Sequence, residues 1–239
     1  MITTHHHCRD CHSVNIVKNG HNRSGNQQYI CKDCGSCKVL EPNKGYSEER
    51  KEEVLRAYQE RSSLRGVART FGIARQTITN WLKKKLLNLP PVAETLIPAQ
   101  TNDILELDEV WSFVYTRINQ VWLWTALCRR TRQIVAFVNG DHSLETCQKL
   151  WDQIPEEYRL CHTFSDFWKA YAAVFPEETH RSVGKETGET AHMERWNNTL
   201  RQRVGRFVRE TLSFSKKDWW HDKVTHWFII TYNRTVISC

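Results

Sequence analysis

Three acidic residues stand where a divalent metal ion could be held. Glu194 begins an arginine-rich segment, HMERWNNTLRQRVGRFVRE, while Asp108 and Asp166 lie within and at the end of strand-like segments. Carboxylates are hard oxygen ligands that suit Mg2+ or Mn2+. Two such ions, ~3.5–4 Å apart, activate the attacking oxygen and stabilise the leaving oxygen in phosphoryl transfer. We therefore predict that these acids form a metal-dependent catalytic site for phosphodiester chemistry.

The first acid has neighbours that leave alternatives open. Side chains alternate between the two faces of a strand, so Glu106 shares a face with Asp108, whereas Glu109 points to the other face. Either glutamate would be the metal ligand if the strand register were different. Asp166 also has a structural alternative, because Ser165 and Asp166 could simply cap the helix that follows.

The segment after Glu194 is predicted to be a helix that binds the phosphates of a nucleic acid. Asn198 and Arg201 follow Glu194 at i+4 and i+7 and therefore share its face. Guanidinium groups and side-chain amides are common phosphate contacts. The DNA contacts predicted in this region are Asn198, Arg201, Arg203 and Arg206. The predicted buried stripe of the helix consists of Trp196, Leu200, Val204 and Phe207.

The elements that must position the acids indicate an α/β domain. Runs rich in β-branched and aromatic residues predict three consecutive strands: ILELDEVWSFVY, VWLWTALC and RQIVAFVNG. They are followed by an amphipathic helix, SLETCQKLWDQI, a strand, CHTFSD, a helix, FWKAYAAVF, and a strand, THRSV. Helices are expected from Met193, with a break around 211–214, and from about 216 to 233. This order is that of a ribonuclease-H-like fold, in which the strands of Asp108 and Asp166 are neighbours.

Four cysteines near the N-terminus have the spacing of a zinc site. Two C-x-x-C pairs lie roughly 20 residues apart: Cys8, Cys11, Cys31 and Cys34. Thiolates at this spacing reach one tetrahedral ion, and in so short a unit the zinc would supply the folding energy. The alternatives are unliganded thiols, or replacement of one ligand by Cys37 or by a histidine at 5–7 or 12.

The sequence over 47–86 predicts a three-helix DNA-binding unit. Ser47 followed by acids is typical of a helix start, and this helix should run to about Glu60. A small residue, a turn glycine and apolar positions then have helix-turn-helix spacing: Ala68, Gly72, Ile73, Ile78 and Trp81. The predicted DNA-binding face of the last helix consists of Arg75, Gln76, Thr77, Thr79, Asn80, Lys83 and Lys84. The alternative is an ordinary helical hairpin with a solvated face.

Charge and composition also indicate a nucleic-acid partner. The 239-residue chain has a net charge of +7, and basic residues predominate in 1–100 and 195–239, whereas acids predominate in 101–194. No apolar run approaches ~18 residues, and the N-terminus has no signal-peptide pattern. Five cysteines crowded into 8–37 favour metal binding in a reducing compartment. We expect a cytoplasmic, nucleoid-associated prokaryotic protein without a membrane partner.

These patterns divide the chain into four segments. We predict a zinc-binding domain over 1–44, a helix-turn-helix domain over 45–89, a proline-containing linker over 90–102, and a ribonuclease-H-like catalytic domain with C-terminal helices over 103–239.

With these motifs in place, the chain resembles the Insertion Sequence One family of transposases. The resemblance is carried by the zinc knuckle ending YICKDCG, by the helix-turn-helix, by LDEVW and by MERWNNTLRQRVGRFVRETLSFSK. It implies a DDE transposase, in which Asp108, Asp166 and Glu194 hold Mg2+ or Mn2+ and cut and join DNA ends. The knuckle and the helix-turn-helix would bind the terminal inverted repeats of the element. Cys37 departs from the family, which usually has an aromatic residue there.

The resemblance further implies double-stranded DNA as partner, both element ends and target, and a homodimer or larger assembly that joins two ends. Other functions stay open from the sequence. One alternative is a non-catalytic DNA-binding repressor or regulator derived from a transposase, for which residues 1–86 would suffice. Others are a ribonuclease-H-like nuclease or integrase with different substrates, and a zinc-dependent assembly module.

Overall fold

A computed structural model describes residues 6–40 and 45–237 of the chain. His5, one of the alternative zinc ligands, and residue 44, at the predicted end of the zinc-binding domain, lie outside the described residues. The chain divides into two compact units, Met1–Glu48 and Glu49–Cys239.

The first unit contains a small antiparallel sheet. Its strands lie in the order β1-β2-β3, and their bounds are β1 Ile16–His21, β2 Gln27–Cys31 and β3 Cys37–Lys38. Among its described residues, Cys8 and Cys31 are the buried hydrophobic side chains. So few buried groups cannot stabilise a fold by burial alone, which makes the cysteine cluster described below the main candidate for holding this unit together.

Three helices follow, the first of which starts at the boundary between the units: α1 Glu48–Gln59, α2 Leu64–Phe71 and α3 Arg75–Leu87. Ser63 caps α2 by accepting a hydrogen bond from the Gly66 amide. Gly72 ends α2 in the left-handed conformation, with φ of 65°, and its amide donates to the Ala68 carbonyl. The turn predicted at Gly72 is therefore present, and it sets α2 and α3 around a small apolar core of Val54, Val67, Ile73 and Ile78.

A five-stranded mixed sheet follows, in the order β6-β5-β4-β7-β8. Its strands are β4 Ile104–Phe113, β5 Gln120–Cys128, β6 Ile134–Gly140, β7 His162–Ser165 and β8 His180–Ser182. The first three pair antiparallel, whereas β7 runs parallel to both β4 and β8. The remaining helices are α4 Leu144–Gln153, α5 Glu156–Arg159, α6 Lys169–Val174, α7 Ala191–Arg203 and α8 Asp218–Ile237.

Helices cover both faces of the sheet. Leu105 and Leu107 of β4 pack with residues of α4 and α6 on one face. Val110 of β4 packs on the other face with residues of α7 and α8, such as Trp196 and Phe228. The central strand is consequently buried on both sides, and its polar side chains lie in protected surroundings.

The three N-terminal helices of this unit share its larger core. Leu55 of α1 and Leu82 and Leu86 of α3 belong to the same buried cluster as Trp227 of α8. The segment 90–102, predicted as a linker, contains a 3-10 turn, Val92–Thr95. Thr95 is bonded to both Gln133 and Asn233, so this segment lies packed against β6 and α8.

The structure corrects the extent of the helix that carries Glu194. The predicted buried stripe ran through Val204 and Phe207, but α7 ends at Arg203. Both residues are buried nonetheless, because the chain continues into a 3-10 turn, Gly205–Phe207, that packs into the same core. Among the described residues, no helix combines the length and the apolarity that crossing a membrane requires.

Candidate active site and zinc site

Asp108 lies on β4, and Asp166 directly follows the adjacent strand, β7. The parallel pairing of β4 with β7 sets Glu106 opposite Phe164. The pairing ends there; Asp108 lies two residues further along β4, and Asp166 lies one residue beyond the end of β7. Paired strands are about 4.8 Å apart, and residues in register point to the same face. Asp108 is on the face that α7 covers, and Asp166 lies at the end of the strand next to it.

Glu106 anchors the beginning of α7 to β4. Its side chain is fully buried, and its Oε2 accepts the backbone amides of His192 at 3.0 Å and Met193 at 2.9 Å. Its Oε1 lies 2.7 Å from Nδ1 of His192 and accepts from Nε of Arg129 at 2.9 Å. Because the helix N-terminus is electropositive, a carboxylate is favoured there. Both oxygens are engaged in these bonds, so Glu106 anchors α7 to β4.

Asn197 of α7 contacts Asp108 directly. Its Nδ2 donates to Oδ2 of Asp108 at 2.6 Å, and the Asn197 side chain is buried. Its Oδ1 is buried without a hydrogen-bond partner among the described residues. Asn198, the amide predicted from sequence, is exposed instead. Asn197, three residues after Glu194, was missed from the sequence because it adjoins the buried Trp196. No sequence pattern distinguishes a buried asparagine from its exposed neighbour.

Glu194 lies in the first turn of α7, one turn before Asn197, and its side chain is exposed. The structure thus places Asp108 on β4, Asp166 just beyond the neighbouring β7, and Glu194 on the helix that touches Asp108. Within the described ranges, the three carboxylates are not gathered within 4.8 Å of one another as the four cysteine sulfurs are.

Glu109 faces the opposite side of the sheet, as strand alternation predicts. Its Oε1 lies 2.8 Å from Nε2 of His142, and its Oε2 accepts from the hydroxyl of Tyr171 at 2.7 Å. Burial raises the pKa of Glu109, and the nearby charge of Asp166 adds to the rise. Glu109 is thereby engaged away from the α7 face, where Asp108 lies.

The loop after Asp166 is held by stacked rings. Oδ1 of Asp166 accepts the amide of Trp168 at 3.0 Å. The Trp168 ring stacks on His142 with centroids 4.1 Å apart, and His142 stacks on Trp122 at 4.2 Å. Asp166 therefore holds the turn before α6, but it does not cap that helix, whose N-cap residue Trp168 has no side-chain capping bond. This turn also fixes the position of its carboxylate at the end of β7.

Arg206, a predicted DNA contact, is extensively bonded within the protein. Its Nη1 donates to Oγ of Ser215 at 2.6 Å and to the Trp220 carbonyl at 2.9 Å. Its Nη2 donates to the hydroxyl of Tyr58 at 2.9 Å. These bonds tie the 205–215 segment to α1 and α8, and a contact of Arg206 with DNA stays a prediction.

The other two predicted arginines of this region are likewise half-buried and have protein partners. Arg201 donates to the Phe207 carbonyl at 3.2 Å. Burial lowers the pKa of Arg201, and the charge of Arg209 lowers it further, whereas Asp108 opposes the shift. Arg203 pairs with Glu60 at 2.6 Å. The charge of Arg201 therefore acts on the surroundings of Asp108.

The polar face predicted for α3 is present on the surface. Arg75, Gln76 and Asn80 are exposed, and Gln76 donates to Asn80 at 3.0 Å. Thr77 and Thr79 are half-buried. Lys83 and Lys84 continue the exposed basic surface toward the end of the helix.

The four predicted cysteine ligands converge in the first unit. The sulfurs of Cys8, Cys11, Cys31 and Cys34 all lie within 4.8 Å of one another. Two of the separations are 3.6 Å, for Cys8 and Cys34, and 3.5 Å, for Cys11 and Cys31. A tetrahedral zinc with bonds of ~2.3 Å holds its sulfurs about 3.8 Å apart. The cluster fits a zinc finger, and among the described residues neither Cys37 nor a histidine belongs to it.

The two knuckles have matching backbone geometry. The carbonyl of Cys8 accepts the amide of His12, and the carbonyl of Cys31 accepts the amide of Gly35. His12 and Gly35 both have positive φ, at 59° and 71°. His12 therefore serves as the left-handed residue of its knuckle.

Backbone amides also prepare the first thiol of each knuckle for metal binding. The amides of Cys11 and Asp10 lower the pKa of Cys8 to about 6. The amide of Cys34 lowers the pKa of Cys31. Thiolates are the ligands that zinc binds, so these amides favour the metal-binding form.

Comparison with known proteins places the chain in a family. A family model described as IS1 transposase matches residues 103–233. The insertion element iso-IS1n protein InsB of Shigella dysenteriae is 37% identical over 128 residues, covering 53% of this chain and 93% of that protein. The IS1 protein InsB of Shigella flexneri is 34% identical over 119 residues, covering 50% and 88%. The IS1 4 protein InsB of Escherichia coli K12 is 33% identical, covering 50% and 69%. The chain belongs to the IS1 transposase family.

Removal of a clustered thiol should abolish zinc binding. We expect one zinc per wild-type chain by atomic emission and less than about a tenth of that for Cys31→Ser, because three sulfurs leave the tetrahedral site incomplete. Cys37→Ser, which changes an exposed thiol outside the cluster, is the matched control and should retain full zinc. Loss of zinc in the control, with retention in Cys31→Ser, would contradict this ligand set.

Asn197 should act as a positioning residue for Asp108. Asn197→Ala is expected to weaken Mn2+ binding roughly ten- to a hundredfold, measured by electron paramagnetic resonance, because partners of metal ligands contribute by that amount. Asn198→Ala, one residue away and exposed, should leave Mn2+ affinity unchanged. Equal Mn2+ affinity in Asn197→Ala and wild type, with both proteins folded, would show that the bond to Asp108 has no role at a metal site.

Proposed function

We propose that this chain is a DDE transposase that binds the terminal inverted repeats of its element and catalyses metal-dependent DNA cleavage and strand transfer. The observation that carries it is the parallel pairing of β4 with β7, which makes the strands of Asp108 and Asp166 neighbours, together with the docking of α7 on β4. Glu194 lies on that helix, in a chain that belongs to a transposase family. This arrangement supports the assignment of the three acids as catalytic residues.

We further propose that the second unit contains a ribonuclease-H-like domain. Three antiparallel strands, followed by two shorter strands parallel to the first, give the order β6-β5-β4-β7-β8. Helices on both faces, and acids at the centre of β4 and the end of β7, agree with that fold. By this assignment residues 103–239 are the catalytic domain.

The donor set of the site fits Mg2+ or Mn2+. Asp108, Asp166 and Glu194 supply carboxylate oxygens, which these hard cations prefer. When bound, such ions activate the attacking oxygen and neutralise charge on the phosphate and leaving group. Among the protein's own groups, Asn197 fixes one oxygen of Asp108, and Arg201 places positive charge near the same aspartate, where a scissile phosphate would lie.

The other segments have proposed roles in holding DNA. The zinc unit over 1–44 and the helix-turn-helix domain over 45–89 would recognise the element end, with the exposed side chains of α3 in the major groove. Segment 90–102 would fix the helix-turn-helix domain against the catalytic domain. Because two ends must be joined, we propose a homodimer or larger assembly, acting on DNA in the bacterial cytoplasm.

The decisive experiment compares two first-turn glutamates. Glu194→Gln should lower Mn2+-dependent strand transfer at least about a hundredfold on a labelled duplex bearing the element's own end, because a metal ligand contributes several kcal/mol to the transition state. Glu145→Gln changes an exposed glutamate in the first turn of α4, on the opposite face of the sheet, and should leave the rate unchanged.

Asp108→Ala completes the test and should abolish strand transfer while end binding persists. Specific binding to the end without any chemistry in wild type, in the presence of Mn2+, would instead support the repressor or regulator. Cleavage of random duplex as readily as of the element end would support a nuclease with other substrates.

A further inference from the structure

A cavity of about 800 Å3 lies within the second unit, away from the three acids. One wall is formed by the N-terminal parts of α2 and α3, and the opposite wall by the segment 203–216 and the first half of α8. Arg206 spans the two walls, because it bonds Tyr58 of α1 as well as Ser215. The cavity is therefore a fixed feature of this unit.

The lining of this cavity is strongly cationic. Its charged residues are Arg61, Arg65, Arg75, Arg203, Arg206 and Lys216. None of the described residues that line it is acidic. Arg65, Arg75 and Lys216 are exposed and form no ion pair within the described part of the chain. Unpaired guanidinium and ammonium groups around one opening are complementary to a polyanion.

The same cavity lies between α3, the predicted DNA-binding helix, and the end of α7, the helix that carries Glu194. Gln76 and Thr79 of α3 lie on one side, and Arg203, the last residue of α7, lies on the other. Arg203 follows Glu194 by about two and a half helical turns, or about 13 Å along α7. Because a DNA strand rises about 3.4 Å per nucleotide, a duplex that ran along α7 would span this length with about four base pairs.

We propose that the cavity is a clamp for the DNA backbone, and that it grips the element end about four base pairs from the bond that is cut. Arg65 and Lys216, from opposite walls, bind phosphates of the same duplex whose bases face α3. This clamp rests on the proposed function, because the distance is measured from Glu194. It sets how far the recognised sequence lies from the reacting phosphate.

Salt-dependent binding tests the clamp without requiring chemistry. For a labelled duplex bearing the element end, Arg65→Gln with Lys216→Gln should reduce the slope of log affinity against log salt by about two. Affinity at 0.1 M salt should fall roughly tenfold for each side chain. Lys149→Gln with Lys169→Gln removes two exposed lysines from α4 and α6 and should change neither quantity. Arg65→Lys with native Lys216 should keep the wild-type slope.

Neutral methylphosphonate linkages locate the clamp on the DNA. Placed singly at successive positions from the element's terminal phosphodiester, they should weaken wild-type binding most at about the third to fifth position. Binding by the Arg65→Gln, Lys216→Gln protein should no longer respond there. A wild-type slope in that protein, or greatest sensitivity at the terminal phosphate itself, would overturn the clamp. If wild type shows no strand transfer, the proposed function fails, while these binding results still decide whether the cavity holds DNA.

Discussion

The position of the candidate active site depends on one buried carboxylate. Glu106 lies inside the protein, where an unpaired charge would be very costly, and four donors from His192, Met193 and Arg129 satisfy it. Removing one partner of such a buried group typically costs about 3–5 kcal/mol. Because two of the donors are the first amides of α7, the helix cannot shift along β4 without breaking them.

The remaining geometry follows from that anchor. From Glu106 to Asp108 the strand advances about 6.6 Å. From the amides of His192 and Met193 to Asn197 the helix advances a similar distance, about 6–7.5 Å. Strand and helix therefore run side by side in the same direction, and Asn197 arrives at Asp108. Glu194 therefore lies on α7 between these two contacts. The stacked rings around His142 hold the turn after Asp166 from the opposite face of the sheet.

Much of this arrangement could be predicted from residue patterns, because alternation along a strand and periodicity along a helix are local properties. The order of strands and longer helices in 103–239, the shared face of Glu106 and Asp108, the four clustered cysteines and the membership of the IS1 family were expected. The strands β1 and β3 and the short helix α5 were not. The catalytic assignment itself remains a proposal. The end of α7 at Arg203, the docking of segment 90–102 and the bonds of Arg206 depend on tertiary contacts. Sequence patterns describe one helix or strand at a time, so they do not predict such tertiary contacts.

The most direct measurement of the central claim is iron-directed cleavage of the protein backbone. With Fe2+ in place of Mg2+, ascorbate and peroxide generate radicals that cut the chain near the bound ion. The three-acid site predicts cuts close to Asp108, Asp166 and Glu194, suppressed by excess Mg2+ and absent in Asp108→Ala. Cuts confined to other parts of the chain, or the same cuts in Asp108→Ala, would contradict a shared metal site between β4, β7 and α7.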